Sequence, residues 1–275
     1  MAIHPTAVVG EGAQIGAGVT IGAFSVIESG ARIGDGSVIG PRATVCGGVR
    51  MGEACRVHTG AVIGDLPQYI GFNASLQSGV VLGARCVVRE NATVHRSIYE
   101  GKDTVIGNDV YLMVAAHVAH DCVLHDRVVL TNNVMLAGHV EVGQGAYVGG
   151  GAAIHQFVRL GKGSMTGGGA RITQDVAPFL MVAERNELSG LNLLGLKRRG
   201  VPREVIREIK ALFHLFFEQK GNIRAQAREA LERLAPAAGS ELHEFLSFFL
   251  EGKRGFAGVK LKSGRRESGD SGEES

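Results

Sequence analysis

Stepping by six residues from Ile3 lands on Ile3, Val9, Ile15, Ile21, Ile27, Ile33, Ile39, Val45, Met51, Val57 and Ile63, eleven apolar residues in succession. The next residue is glycine in seven of the eleven cases (Gly10, Gly16, Gly22, Gly34, Gly40, Gly52, Gly64). The frame slips by one residue across DLPQYIGFNASLQSGVV and resumes at Leu82, Val88 and Val94. It misses at Glu100, then runs Ile106, Leu112, Val118, Leu124, Leu130, Leu136, Val142, Val148, Ile154 and Leu160, with Thr166 a weak member and Ile172 the last. An aliphatic at every sixth position, followed by a glycine that tolerates unusual backbone angles, predicts a short strand and a corner, repeated. Three such sides close a triangular coil, and stacked coils pair their strands at about 4.8 Å. The aliphatics then form ladders inside a prism of roughly ten coils, a mainly β fold of the parallel β-helix class.

Two interruptions leave this frame as external loops, near 65–79 and at SIYEGKD (97–103). Loops on a regular scaffold often carry binding function. Beyond Ile172 the period changes. Val205, Ile206, Ile209, Leu212, Phe213, Phe216 and Phe217 fall at three-and-four spacing and predict a helix starting at Pro202. A second helix is predicted over 222–235 and a third over 241–251, with Ser240 as its N-cap. The predicted organisation is a prism over 1–186, a small helical domain over 187–256, and a charged, serine-rich, disordered tail over 257–275.

Composition narrows the function classes. Glycine is 41 of 275 residues, about twice ordinary usage, as a fold rich in corners requires. A formal net charge of +2 does not announce a nucleic-acid binder. No stretch approaches the length of apolar residues needed to span a membrane, and MAIHPTAVVG lacks the basic and apolar regions of a signal peptide. Cys46, Cys55, Cys86 and Cys122 contain no C-x-x-C pair. They read as reduced thiols of a cytosolic protein rather than a cysteine zinc site.

The chemistry-bearing stretch is AAHVAHDC (115–122). Alone, it is compatible with a metal, a general base with its carboxylate, or a structural corner. The six-residue register adds position. His120 stands two residues after Val118 and His139 three after Leu136, which puts them on neighbouring coils near one corner, within about 5–8 Å. His155 falls one coil further along, and His58, His95 and His155 each follow an aliphatic directly. Asp121, Asn132, Asn133 and Gln156 add polar groups nearby. A prism edge is convex, whereas a binding pocket is concave. The expectation is a homotrimer, with active sites in the clefts between subunits.

With the hexapeptide period, AAHVAHDC, LAGHV (136–140), AAIHQF (152–157), QDV-P (174–178) and GLKRRG (195–200) in that order, the chain resembles the UDP-N-acetylglucosamine acyltransferases, which catalyse the first step of lipid A biosynthesis. The likeness covers roughly residues 3–256. It implies a left-handed parallel β-helix and a cytoplasmic enzyme that moves a 3-hydroxyacyl chain from the 4'-phosphopantetheine of acyl carrier protein to a UDP-amino sugar. The transfer is direct, with no metal or other cofactor and no covalent enzyme intermediate. His120 matches the general base at the sugar's 3-position and Asp121 the carboxylate that orients it. Gly138 matches the residue whose N–H faces the oxyanion, where one aimed donor is worth ~3–4 kcal/mol. His95, His117, His139, His155, Gln156 and, in the first loop, Gln68 match residues lining the substrate site. Asn192, Arg198 and Arg199 match positions at the nucleotide end, where guanidinium forks suit a diphosphate. Gly168 matches the position that limits acyl-chain depth. KRRG with Arg203 and Arg207 forms a basic patch suited to an acidic carrier protein.

The chain also departs from the family pattern. Tyr69 and Gly71 stand where many relatives carry an Asp and a Lys, and Leu194 where relatives carry a Glu. The altered sugar loop keeps open N-acylation of the 3-amino UDP-sugar analogue. Two further readings belong to other classes: a trimeric zinc hydrolase of the carbonic-anhydrase kind, with histidines from neighbouring subunits, and a non-catalytic solenoid scaffold.

Overall fold

The computed structural model describes residues 2–219 and 221–259. The tail expected to be disordered lies, from residue 260 on, outside the described residues. Most of the strands in the repeat are two residues long, and the described strands form three sheets of eleven, nine and eight, parallel throughout except for the last strand of the first sheet. Successive strands belong to successive faces, so the chain winds as a left-handed parallel β-helix with a small helical region at its C-terminal end. Tyr111–Leu112 and Val129–Leu130 lie on the first face, His117–Val118 and Met135–Leu136 on the second, Val123–Leu124 and Glu141–Val142 on the third.

The second residue of each strand points inward. Ile39, Val57, Val88, Leu112, Leu130 and Val148 are almost wholly buried and follow one another down the first face. Small residues fill the inner corners. Ala43, Ala61, Ala92, Ala116 and Ala152 line one, Cys55 and Cys86 stand on adjacent rungs of another, and Cys122 fills the third. These three cysteines are therefore volume-fillers; all four, Cys46 included, are free and buried, and burial pushes the Cys122 thiol up to about 12.

The role expected for the recurring glycine needs correction. Of the seven that follow an aliphatic, only Gly64 has a positive φ (+90°). The left-handed residue of most corners comes two positions later, as at Gly12, Gly18, Phe24, Gly30 and Gly36. The first glycine answers to close approach instead: a Cβ on Gly22 would lie 2.7 Å from Pro41 N of the next coil, and one on Gly52 2.7 Å from Ala84 N.

Both insertions leave from the corner between the second and third faces, between Val62–Asp65 and Gly79–Leu82 and between Thr93–His95 and Asp103–Ile106. Their lengths account for the frame. Val62 pairs with Thr93, thirteen residues beyond one coil, which is two hexads plus one and gives the slip. Thr93 pairs with His117, six residues beyond one coil, which displaces Glu100 and leaves the frame intact.

After Arg171–Ile172 the chain adds Leu180–Ala183 to the first sheet and turns back antiparallel through Glu187–Leu191, a hairpin that the hexad pattern does not foretell. Four helices follow: α1 (Leu193–Arg198), α2 (Arg203–Glu218), α3 (Ile223–Leu234) and α4 (Glu241–Ser247). Pro202 is the N-cap of α2 rather than its first residue, and the side chains of Asn222 and Ser240 cap α3 and α4. The third expected helix breaks at Ser247 into a 3-10 turn over Phe248–Leu250. Phe213, Phe216, Phe245 and Phe249 form the helical core. Arg159 on the third face ties this core to the prism, pairing with buried Asp175 at 2.9 Å, donating to Phe248 O and lying 4.1 Å over the Phe248 ring.

Leu124 tests the ladder, since it sits at 1% exposure between Ile106 and Val142. Leu124→Ala should lower the unfolding free energy by about 2–5 kcal/mol, read as a lower urea midpoint at unchanged slope, whereas Leu124→Met should cost under about 1.5 kcal/mol.

Candidate active site

The corner that releases both insertions also carries the histidines. Register pairs Val94 with Val118, Val118 with Leu136 and Leu136 with Ile154. Two residues beyond each of the last three aliphatics stand His120, Gly138 and Gln156, and one residue further Asp121, His139 and Phe157. The second column adopts left-handed backbone angles, with φ of 60°, 61° and 65°. Non-glycine residues there are uncommon, and the turn is imposed by closing the coil.

His120 and Asp121 are both largely buried (13% and 9% of the side chain exposed), and His120 Nδ1 lies 2.8 Å from Asp121 Oδ2. Ser97 donates its hydroxyl hydrogen to Asp121 Oδ1, and Ile98 N–H donates to Oδ2 at 3.3 Å. Burial pushes the Asp121 carboxyl up, but the hydrogen bonds from His120, Ser97 and Ile98 outweigh it and hold the group below its usual value. An ionised carboxylate only accepts, so His120 Nδ1 carries the proton and Nε2 is left with its lone pair. The ring lies over Gly138, where a Cβ would come within 2.5 Å of His120 Cε1 and 2.7 Å of Nε2. Among the described residues the Gly138 N–H donates to no carbonyl.

His139 stands edge-on to His120, with ring centroids 5.2 Å apart, and stacks on Phe157 at 4.5 Å. His117 projects from the second face, its Nδ1 2.7 Å from Thr93 Oγ1 and its ring 4.8 Å from that of His95. Burial lowers all three of these histidines, His117 to about 4. His95 Nδ1 is buried without a partner among the described residues. His155 lies one coil beyond, its Nδ1 held by the guanidinium of Arg254, which also donates to Gln156 O at 2.9 Å. A guanidinium has no acceptor, so His155 Nδ1 accepts and Nε2 carries the proton.

The first insertion reaches over the corner, with the Tyr69 ring 6.3 Å from that of His120 and Gln68 exposed beside it. Arg96 holds this insertion by donating to Leu76 O (3.0 Å) and Ala74 O (2.9 Å). His120, Asp121 and His139 offer ligand atoms within 4.8 Å of one another, enough for three donors to a metal. Both Asp121 oxygens are already engaged by protein donors.

The remaining expected residues lie elsewhere on the chain. Asn192 caps α1 by accepting from Gly195 N–H at 2.9 Å and donates to Gly163 O. Arg199 donates to Gly145 O at 2.8 Å, and Arg198 is exposed. With Arg127, Lys162 and Glu241 these arginines line a cavity of about 600 Å³ on the corner between the third and first faces. Gly168 lies exposed on the corner between the first and second faces. Another cavity, of about 550 Å³, separates the third face from α4 and contains none of the expected site residues. Sequence reasoning missed Ser97, Thr93, Phe157 and Arg254. The register would have found Phe157, one coil below His139. Ser97 stands three residues beyond Val94, as Asp121 does beyond Val118, so the same register would have found it; Arg254 reaches the site from a distant segment that no periodicity places.

Comparison with known proteins gives a consistent result. A family model described as "Udp N-acetylglucosamine O-acyltransferase; Domain 2" matches residues 175–257, and hexapeptide-repeat models match 30–65 and 7–40. The chain is 36% identical to the acyl-[acyl-carrier-protein]–UDP-N-acetylglucosamine O-acyltransferase of Campylobacter concisus, covering 96% of this chain and 98% of that one. It is 40% identical to the protein of the same name from Sinorhizobium fredii, over 82% and 84%. The solved UDP-N-acetylglucosamine acyltransferase of Campylobacter jejuni superposes with a TM-score of 0.86 at 36% identity, over 94% of this chain and 100% of that one.

The lowered histidines predict an acid dependence of stability. An unfolded chain takes up a proton on His117 near 6.5, the folded one only near 4. The stabilisation is complete above pH 6.5 and lost progressively as pH falls to about 4, with His95 and His139 acting in the same direction. Melting temperatures measured across that range should fall less steeply for His117→Gln than for the parent chain.

Proposed function

The chain belongs to the family of UDP-N-acetylglucosamine O-acyltransferases, and from that premise we propose that it transfers a 3-hydroxyacyl chain from acyl carrier protein to the 3-position of UDP-N-acetylglucosamine, the opening step of lipid A biosynthesis. The observation that carries this reading is the dyad: Asp121 holds the proton of His120 on Nδ1 and leaves Nε2 free beside Gly138.

In this mechanism His120 Nε2 takes the proton of the sugar's 3-hydroxyl as the oxygen attacks the thioester carbonyl carbon. The carbonyl π electrons move to oxygen, and the oxyanion meets the N–H of Gly138, which donates to no carbonyl among the described residues. Collapse breaks the C–S bond, and the imidazolium returns its proton to the departing phosphopantetheine sulfur. The acyl group is then an ester on the sugar, and His120 is regenerated. His95, His117 and His139, kept neutral by burial, bring hydrogen-bonding groups to the sugar without competing positive charge, and His155 adds the Nε2–H that Arg254 dictates.

The base, the arginines and Gly168 occupy three different corners of one prism. One substrate can span them only where the corners of neighbouring copies meet, which supports a homotrimer with three shared sites. Arg198 and Arg199 would take the diphosphate, Asn192 the adjoining nucleotide, and Gly168 the end of the acyl chain. Lys197, Arg198 and Arg203, exposed around α1 and the start of α2, suit the acidic carrier protein. No described helix is long and apolar enough to cross a membrane. The reading sets the reaction in the cytoplasm, where four free cysteines stay reduced.

Purified protein should convert UDP-N-acetylglucosamine and a 3-hydroxyacyl carrier protein to an O-acylated product identified by mass. An N-acylated product formed only from the 3-amino sugar would change the acceptor and leave the mechanism intact. His120→Ala should lower kcat by about 10²–10⁴-fold with the assembly size unchanged, and near-parental turnover would remove His120 from its role. Co-expressing inactive His120→Ala and Arg198→Ala chains should restore part of the activity, because some mixed sites then draw both intact residues from different copies. No recovery in confirmed mixed assemblies would argue that each chain works alone.

A further inference from the structure

The second insertion begins at Ser97 and rejoins the prism at Asp103–Ile106, and both of its ends touch Asp121. At its start, the fully buried Ser97 directs its hydroxyl at Asp121 Oδ1, and Ile98 N–H reaches Oδ2. At its end, the fully buried Thr104 accepts the backbone N–H of Asp121 at 2.8 Å. The direction of the serine bond is fixed. Ser97 Oγ already accepts Tyr99 N–H at 3.0 Å, and an ionised carboxylate has no proton to give, so the hydrogen between Ser97 and Asp121 belongs to Ser97.

We propose that Ser97 is a positioning residue for the acyl transfer, its hydroxyl locking the Asp121 carboxylate in the rotamer that orients His120. The proposal rests on the roles of His120 and Asp121 given above. With Ser97 on Oδ1, the other oxygen, Oδ2, is the one presented to His120 Nδ1 and Ile98 N–H. Without the serine the carboxylate stays beside the imidazole but is free to turn about its terminal torsion, so the imidazole is no longer held in one orientation. Ser97 is itself held, since its carbonyl accepts Ser78 Oγ–H from the first insertion at 2.6 Å. The two insertions are further tied by Gly101 N–H to Gln77 O (2.7 Å) and Gln77 N–H to the Glu100 carboxylate (2.9 Å). The loop that reaches over His120 and the loop that orients it thus form one hydrogen-bonded body.

The test is a mutant cycle on the full-length chain. Ser97→Ala should lower kcat roughly tenfold, the weight of one hydrogen bond to a charged group, with KM for the UDP-sugar unchanged. With one donor gone, more of the carboxylate's charge bears on the imidazole and favours its protonated form. The acid limb of kcat/KM should therefore move to higher pH. In an Asp121→Ala background the same replacement should change kcat by less than about twofold, because its route of action is already lost. Ser97→Cys, whose thiol is a weak donor, gives the same readings should the alanine variant fail to fold. Unchanged kcat and pH profile in a folded Ser97 variant, or an equal loss with and without Asp121, overturns the proposal. His120→Ala, measured alongside, separates the two levels: if it retains turnover the base assignment itself fails, and if it is inactive while Ser97 variants are silent, Ser97 alone is excluded.

Discussion

The fixed register between stacked coils is the constraint on which the rest of this molecule depends. Each strand pairs with its neighbours a coil away at the spacing of a parallel ladder, and each aliphatic therefore stands on an aliphatic, as Val94, Val118, Leu136 and Ile154 do. A slip of one residue would turn the apolar column outward. The same lock acts on the corners. Residues two and three positions beyond the aliphatics become columns whose side chains touch although eighteen or nineteen residues separate them, and the column His120, Gly138, Gln156 exists for that reason.

Burial at this corner sets the charge states. Three histidines lose much of their hydration, which outweighs the pull of Asp65 on His95 and of Asp121 on His139, and are biased toward the neutral form. Asp121 loses hydration too, yet three protein donors compensate and keep it anionic. One negative charge among neutral imidazoles is a small, well-defined field. It orients the imidazole it touches and leaves the others to act as ordinary hydrogen-bonding groups. Cys122, on the inner side of the same corner, also has backbone donors, but burial outweighs them and drives its thiol upward.

Much of this was legible in the residues. The hexad period gave the prism, the face of each strand and the meeting of His120 with His139, because periodicity is the direct imprint of the ladder. Helix α2 was legible from its amphipathic spacing and the proline at its start, α3 as a range, and α4 from its N-cap Ser240. The reason for the recurring glycine was misread. Composition cannot separate a residue needed for its dihedral from one needed for its missing Cβ, and Gly22 is the second kind. The hairpin at Leu180–Leu191 escaped because it breaks the period on which the reading relied. Arg254 escaped because its contacts run through non-repeating chain, where distance along the sequence says nothing about distance in space, and Ser97, which holds the Asp121 position of the preceding rung, escaped because the insertion that follows it masks the column.

The two insertions differ in length, thirteen residues and six, and the strands that flank them pair in ladder register, with one irregularity where Asp65 meets His95 at the first exit. The corner is thus a port indifferent to phase. Whatever leaves there needs only to return at the spacing of adjacent strands, and the closure cost of a longer excursion grows only slowly. Overhanging chain can be lengthened, shortened or exchanged while the rungs beneath keep their positions. The chain that overhangs the histidine corner is in that sense replaceable hardware mounted on a fixed chassis, and the attachment at Ser97 is where a change in the one would be felt by the other.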